Sequence, residues 1–161
     1  MSVMVSSVGG TSKAEVPYYL FSSWAERDTL GLSGNVVSIT GSNSDITNKQ
    51  KDFGMSWTEY NITAVNTITV QLSEPVKATK LIYEARAQNS GSRRFDYCYL
   101  DGSNDGSNWT RLVYVTIGQD ASHSSSPHVV SLTTTGKFKY YRYTVSTNNY
   151  IYFRHPFDLY V

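Results

Sequence analysis

The sequence predicts an all-β fold, a single β-sandwich. Short segments that alternate apolar and polar residues recur along the chain, the period-two signature of half-buried strands. Clusters of Gly, Asn, Asp, Ser and Pro separate them, and helical periodicity is nearly absent. The aromatic content points the same way, with 13 Tyr, 6 Phe and 3 Trp in 161 residues. Tyrosine suits a pleated, half-buried surface and also serves binding surfaces, being large, stiff and amphipathic.

The residues up to Ala14 read as an N-terminal arm and residues 15–161 as the domain. Ser23-Trp24-Ala25-Glu26 has the form of a capping box and opens a short helix before Gly31 and Gly34. Thr67 to Leu72 alternates cleanly, with Ile68, Val70 and Leu72 on one face, and Ser73-Glu74-Pro75 reads as a turn. Lys80 to Arg86 resumes as a strand, and a polar loop from Gln88 to Arg94 follows.

The most distinctive segment is a hairpin between Tyr97 and Val115. Its Asp101-Gly102 and Asp105-Gly106 pairs supply the positive φ angles that tight turns need. The returning strand carries apolar residues on both faces, so a central, well-covered position is expected for it. Val129 to Leu132 is a short strand. Lys139 to Val145 alternates with Tyr141, Tyr143 and Val145 on one side, and Tyr150 to Val161 forms one or two strands around Pro156.

Charge narrows the function. Lys and Arg number 14 against 13 acidic residues, a formal net charge of +1. Clustered basic residues of the kind that track phosphates are absent, so no nucleic-acid partner is expected. No apolar run reaches the roughly 20 residues that span a bilayer. The N-terminus lacks the basic and apolar regions of a signal peptide. Cys98 is the sole cysteine and is expected to be a buried thiol.

Catalysis has no positive support, because no Gly-x-Ser-x-Gly elbow and no paired-carboxylate pattern stand out. His123 and His128 lack a third zinc ligand nearby. Asp101 to Gly106 imitates the start of a calcium loop, but Leu112 stands where a bidentate Glu belongs. Asn61-Ile62-Thr63 and Asn108-Trp109-Thr110 match the glycosylation sequon only by coincidence. For ligand contact, the useful groups are aromatic faces that stack on sugar C–H bonds and forked donors that bridge hydroxyls. The candidates are Tyr60, Asn89, Arg93, Arg94, Asn149, Tyr150 and Tyr152.

Four segments, in order, resemble the discoidin or coagulation factor 5/8 type C family. Asn66 to Val76 is similar to that family's strand ending in D-L-G-x-P, with Gln71 for the usual Asp and Ser73 for the usual Gly. Tyr99 to Thr110 resembles the hairpin S-x-D-G-x-x-W, Phe138 to Val145 resembles A-R-Y-I-R-I, and Phe157 to Tyr160 resembles the closing E-L-Y. Ser56-Trp57 is similar to the family's early W-x-S. The resemblance implies an eight-stranded, galactose-binding-like jelly roll whose loops at one end bind sugars, lipid head groups or proteins. It also implies a structural calcium, for which Asp158 is the nearest carboxylate, although no N-terminal calcium loop is recognisable; no other cofactor is expected.

Two roles follow as expectations. The first is a non-catalytic virion component, a phage tail, baseplate or capsid-decorating protein that meets other virion proteins, copies of itself or a cell-surface glycan. A chain opening at its own Met without an export signal, rich in Ser, Thr, Asn and Tyr, motivates it. The alternative is an extracellular carbohydrate-binding module or lectin domain of a secreted protein.

Overall fold

The computed structural model describes residues 36–52, 58–61, 64–83, 95–116, 128–133, 136–147, 150–153 and 157–161. They hold ten strands and one helix. In chain order these are β1 (Val36–Gly41), α1 (Ser44–Asp52), β2 (Thr58–Asn61), β3 (Ala64–Val76) and β4 (Lys80–Tyr83). Then come β5 (Phe95–Ser103), β6 (Thr110–Thr116), β7 (His128–Ser131), β8 (Phe138–Thr147), β9 (Tyr150–Phe153) and β10 (Phe157–Tyr160). A five-stranded sheet in the order β1-β3-β8-β5-β6 faces a three-stranded sheet in the order β10-β4-β7. Together they hold the eight strands of the sandwich, and β2 and β9 add a two-stranded ribbon.

Alternation decides which residues become core. On β8, Tyr141, Tyr143 and Val145 point inward and are fully buried; on β3, Ile68, Val70 and Leu72 do the same. The register sets Val70 opposite Tyr141 and Ile68 opposite Tyr143, so each inward tyrosine lies beside a β-branched neighbour. From β5 come Cys98 and Leu100, and from the smaller sheet Leu81, Tyr83, Phe157 and Leu159. Tyr143 stacks on Phe157 across the sandwich, with ring centroids 4.8 Å apart. The Tyr141 hydroxyl donates to the Val76 carbonyl at 2.7 Å and accepts from the Ala78 amide at 3.1 Å. That pins the three-residue crossover from β3 to β4, where a bare N–H would otherwise be buried.

Several sequence expectations need correction. Ser73-Glu74-Pro75 is not a turn, because β3 runs on to Val76. The irregular register between Gln71 and Val76 accommodates it, since proline is tolerated where ladder pairing lapses. The hairpin contains one Asp-Gly turn rather than two. Gly102 lies inside β5, and only Gly106 takes a positive φ, 73°. At Gly102 glycine makes room for the Phe138 ring, which a Cβ would approach to 2.6 Å. Among the described residues β6 is an edge strand, not a central one. Its apolar residues Val113 and Val115 pack against the core, whereas Tyr114 on the opposite face is 51% exposed.

α1 was not foreseen. Asn43 caps it by accepting from the Asp45 amide at 2.9 Å and the Ile46 amide at 3.3 Å, and Asp45 complements the helix dipole. Among its residues Ile46 is the buried hydrophobic anchor, so the helix has no apolar stripe to betray it. The expected helix after Ser23, the arm up to Ala14 and Ser56-Trp57 lie outside the described residues.

Burial acts on several weak acids in this core. It pushes the Cys98 thiol from its ordinary 9.0 up to about 12 and the Tyr141 phenol from 10.0 up to about 12. Burial raises the Tyr143 phenol as well, with the neighbouring Cys98 thiol adding to it. An unfolded chain releases these protons at lower pH than the folded one. Stability from these groups is therefore intact below pH 9 and falls as pH rises toward 12, by about 1.4 kcal/mol per pH unit for each group discharged only in the unfolded chain. Urea midpoints measured from pH 8 to pH ~11 are expected to fall steeply, and a flat profile would refute the assignment. In the native protein at neutral pH, Cys98 is expected to resist thiol reagents until urea exposes it.

Candidate functional site

The register of the large sheet gathers one set of chain segments at one end. Ala64 pairs with Thr147, and Thr147 with Phe95, so β3 and β5 begin where β8 ends. β2 precedes that corner and β9 follows it. They pair with each other from Thr58 opposite Phe153 to Asn61 opposite Tyr150. β1 ends on the same side, where Gly41 meets Ile68 and α1 begins. In the small sheet, Phe157, Tyr83 and His128 mark this end. The β5–β6 turn, residues 104–109, lies at the opposite end.

The candidate residues distribute accordingly. Tyr60, Tyr150 and Tyr152 stand on the β2–β9 ribbon rather than in loops; Tyr60 pairs with Ile151, Glu59 with Tyr152 and Asn61 with Tyr150. Arg93 and Arg94 directly precede Phe95 in the chain, and Asn149 directly precedes Tyr150. Those three and Asn89 lie outside the described residues.

Asp158 is buried at 1% exposure on β10 and accepts the Leu159 amide at 2.7 Å. Among the described residues no group of three His, Cys, Asp or Glu side chains forms a metal cage.

The hairpin turn serves itself. One Asp105 oxygen accepts the Ser107 and Asn108 amides at 2.8 and 2.7 Å, and the other accepts the Asn108 side chain at 2.7 Å. These donors, with Ser103, hold the Asp105 carboxyl far below its usual range. A carboxylate ringed by N–H groups is a turn lock, not a cation ligand. Asn104 ties the turn to β8 through the Lys137 carbonyl and the Lys139 amide.

A second polar feature went unseen in the sequence. On the outer face of the large sheet, the buried Asp101 carboxylate is held between two arginines. Arg111 Nε reaches Oδ1 at 2.5 Å, while Arg142 Nη2 and Nε reach Oδ2 at 3.0 and 3.3 Å. Aromatic rings cap both cations. The Arg111 guanidinium lies 3.6 Å from the Tyr99 centroid, and that of Arg142 lies 4.2 Å from Trp109. The signal was readable: if Cys98 and Leu100 point inward, Tyr97, Tyr99 and, past the bulge, Asp101 point outward.

The sheet order and this one-ended gathering of segments define a galactose-binding-like β-sandwich of the discoidin type. Residues 35–155 match the F5/8 type C domain model, and the chain belongs to that family. No curated protein matches the sequence. Solved structures resemble it in fold. A CBM32 domain from Clostridium perfringens in complex with GalNAc-β-1,3-galactose shares 12% identity, with a TM-score of 0.57 over 77% of this chain and 94% of that one. An F5/8 type C domain from Bacteroides fragilis shares 16%, with a TM-score of 0.56 over 78% and 95%. Chitosan-binding module 1 of a chitosanase/glucanase from Paenibacillus sp. IK-5 shares 16%, with a TM-score of 0.55 over 80% and 96%. Among the described residues no helix is long and apolar enough to cross a membrane.

Removing the Asp101 charge tests the arginine clamp. Asp101→Asn leaves two neighbouring guanidinium groups without their shared counter-charge, at a carboxylate site only 4% exposed. A loss of about 1–3 kcal/mol is expected from urea unfolding, moderated because both arginines are partly solvated. An unchanged midpoint would show that the clamp adds nothing to stability.

Proposed function

We propose that this domain is a non-catalytic carbohydrate-binding module, acting on an extracellular glycan. Its binding surface is the end of the sandwich that carries the β2–β9 ribbon. The observation that supports this most is the ribbon itself, whose register sets Tyr150 and Tyr152 at positions of one face and Tyr60 at a position of the other, beside the starts of β3 and β5. Asn149, Arg93 and Arg94 are chain neighbours of that corner, and Asn89 belongs to the segment that leads into it. Fold relatives described as binding GalNAc-β-1,3-galactose and chitosan add weight. The virion role draws no support from these relatives.

In this reading an aromatic ring stacks on the apolar face of a sugar, while the arginine and asparagine forks bridge its hydroxyls. Such sites bind with dissociation constants of roughly micromolar to millimolar. The sheet beneath supplies a rigid base, so little ordering entropy is lost when the ligand docks.

Calorimetric titration with galactose, GalNAc-β-1,3-galactose and chitosan oligosaccharides tests the proposal. At least one of them is expected to bind. Tyr150→Ala and Tyr152→Ala are each expected to weaken binding by about tenfold, or 1.4 kcal/mol, with the thermal transition retained. Absence of binding to every probe at millimolar concentration, or binding indifferent to both substitutions, would sink it.

A further inference from the structure

We infer that the outer face of the five-stranded sheet is a second ligand surface, and that its ligand is an acidic, carboxylate-bearing oligosaccharide. The register draws this face as rows across the strands. One row runs Thr40, Thr69, Arg142, Asp101, Arg111, from β1 to β6. The next runs Thr67, Thr144, Tyr99, Tyr114, and a third Val65, Ser146, Tyr97, Thr116. Along β5, Tyr97 to Asp101 covers about 13 Å, the reach of several linked sugars rather than of one.

The tyrosines form a triangular cluster rather than a column. Tyr97, Tyr99 and Tyr114 have centroids separated by 6.1, 5.4 and 6.1 Å, and their planes differ by only 8° to 23°. Three near-parallel rings whose centroids make a triangle lie shingled side by side, because a column would set the outer two about twice as far apart as neighbours. Thr144 and Ser146, the register partners of Tyr99 and Tyr97 on this face, are buried. Tyr114 is 51% exposed. Arg111 covers a face of Tyr99, so the half-exposed Tyr114 ring is the one that can meet the C–H face of a pyranose.

Charge selects the ligand. Two guanidinium groups flank one carboxylate, so the node keeps one uncompensated positive charge. Arg111 is bound to Asp101 through Nε alone, and Arg142 has its Nη1 free among the described contacts. Their side chains are 45% and 32% exposed. The unused N–H groups suit a planar carboxylate, the same chemistry by which both arginines already hold Asp101. A uronate places such a carboxylate on a stackable ring. The surface uses none of the residues assigned above to the ribbon end, so the two sites fail independently.

The test uses the whole chain carrying Tyr150→Ala and Tyr152→Ala, titrated with tri-galacturonate. Its methyl ester, a sulfated neutral trisaccharide and tri-glutamate serve as controls. Tri-galacturonate is expected to bind, to weaken at least tenfold on methyl esterification and to weaken in 0.5 M salt, roughly three times the physiological ionic strength. Arg111→Gln is expected to cost about tenfold, and Arg111→Lys to restore little, because it keeps the charge and loses the fork. Tyr114→Ala, at an exposed position that the fold does not need, is expected to cost about fivefold. Affinity untouched by both Arg111→Gln and Tyr114→Ala would overturn the site. Equal binding of the methyl ester would overturn the carboxylate assignment. Sulfated sugar or tri-glutamate binding as well as tri-galacturonate would overturn the uronate assignment.

Discussion

The structure depends on where β8 sits. It is the central strand of the large sheet, paired to β3 on one side and β5 on the other. A slip of one residue in either pairing would turn Tyr141, Tyr143 and Val145 outward and bury Arg142. Their complete burial, with Tyr141 also bonded to the β3–β4 crossover, locks the register. Everything functional follows from that lock. It fixes which strand ends meet at the ribbon corner, and it sets Arg142 against Asp101 on the outer face.

The same alternation that makes the core makes the surfaces. Inward positions on β3, β5 and β8 are mostly apolar or tyrosine, with Asn66 a buried polar member, and the outward ones are mostly Thr, Ser, Tyr, Arg and Asp. Cross-strand pairing then assembles side chains that are far apart in sequence. Asp101 and Arg142 are 41 residues apart, yet they are direct partners across the ladder. Arg142 appears in the motif segment from Phe138 to Val145, and Asp101 and Trp109 in the hairpin segment. Two of the segments that carry the family resemblance therefore meet physically in one ion-pair and aromatic cluster.

Much of this was legible in the sequence, and the failures have physical causes. The inward sets of β3 and β8 followed from period-two alternation, the buried Cys98 from its strand-like run without an electropositive neighbour, and the family from four segments in order. α1 was hidden because it buries little beyond Ile46, so its cap at Asn43 was the only signal. The position of β6 was misjudged because apolar content on two faces cannot distinguish burial by a second sheet from an exposed tyrosine such as Tyr114. Tyr60, Tyr150 and Tyr152 were selected by residue type. Only the β2–β9 register reveals that they share one ribbon, since strands 92 residues apart from Tyr60 to Tyr152 carry no local sign of pairing. The outer arginine clamp was missed because no local spacing links Arg142 to Asp101.

The central claim is that the strand register gathers a sugar-binding surface at the ribbon end and leaves the hairpin turn as scaffold. Backbone amide NMR of the labelled protein, titrated with whichever neutral glycan binds, tests it most directly. The expected shifts fall at residues 58–61 and 150–153 and the adjoining ends of β3, β5 and β8. Shifts centred on residues 104–109, with the ribbon silent, would contradict it.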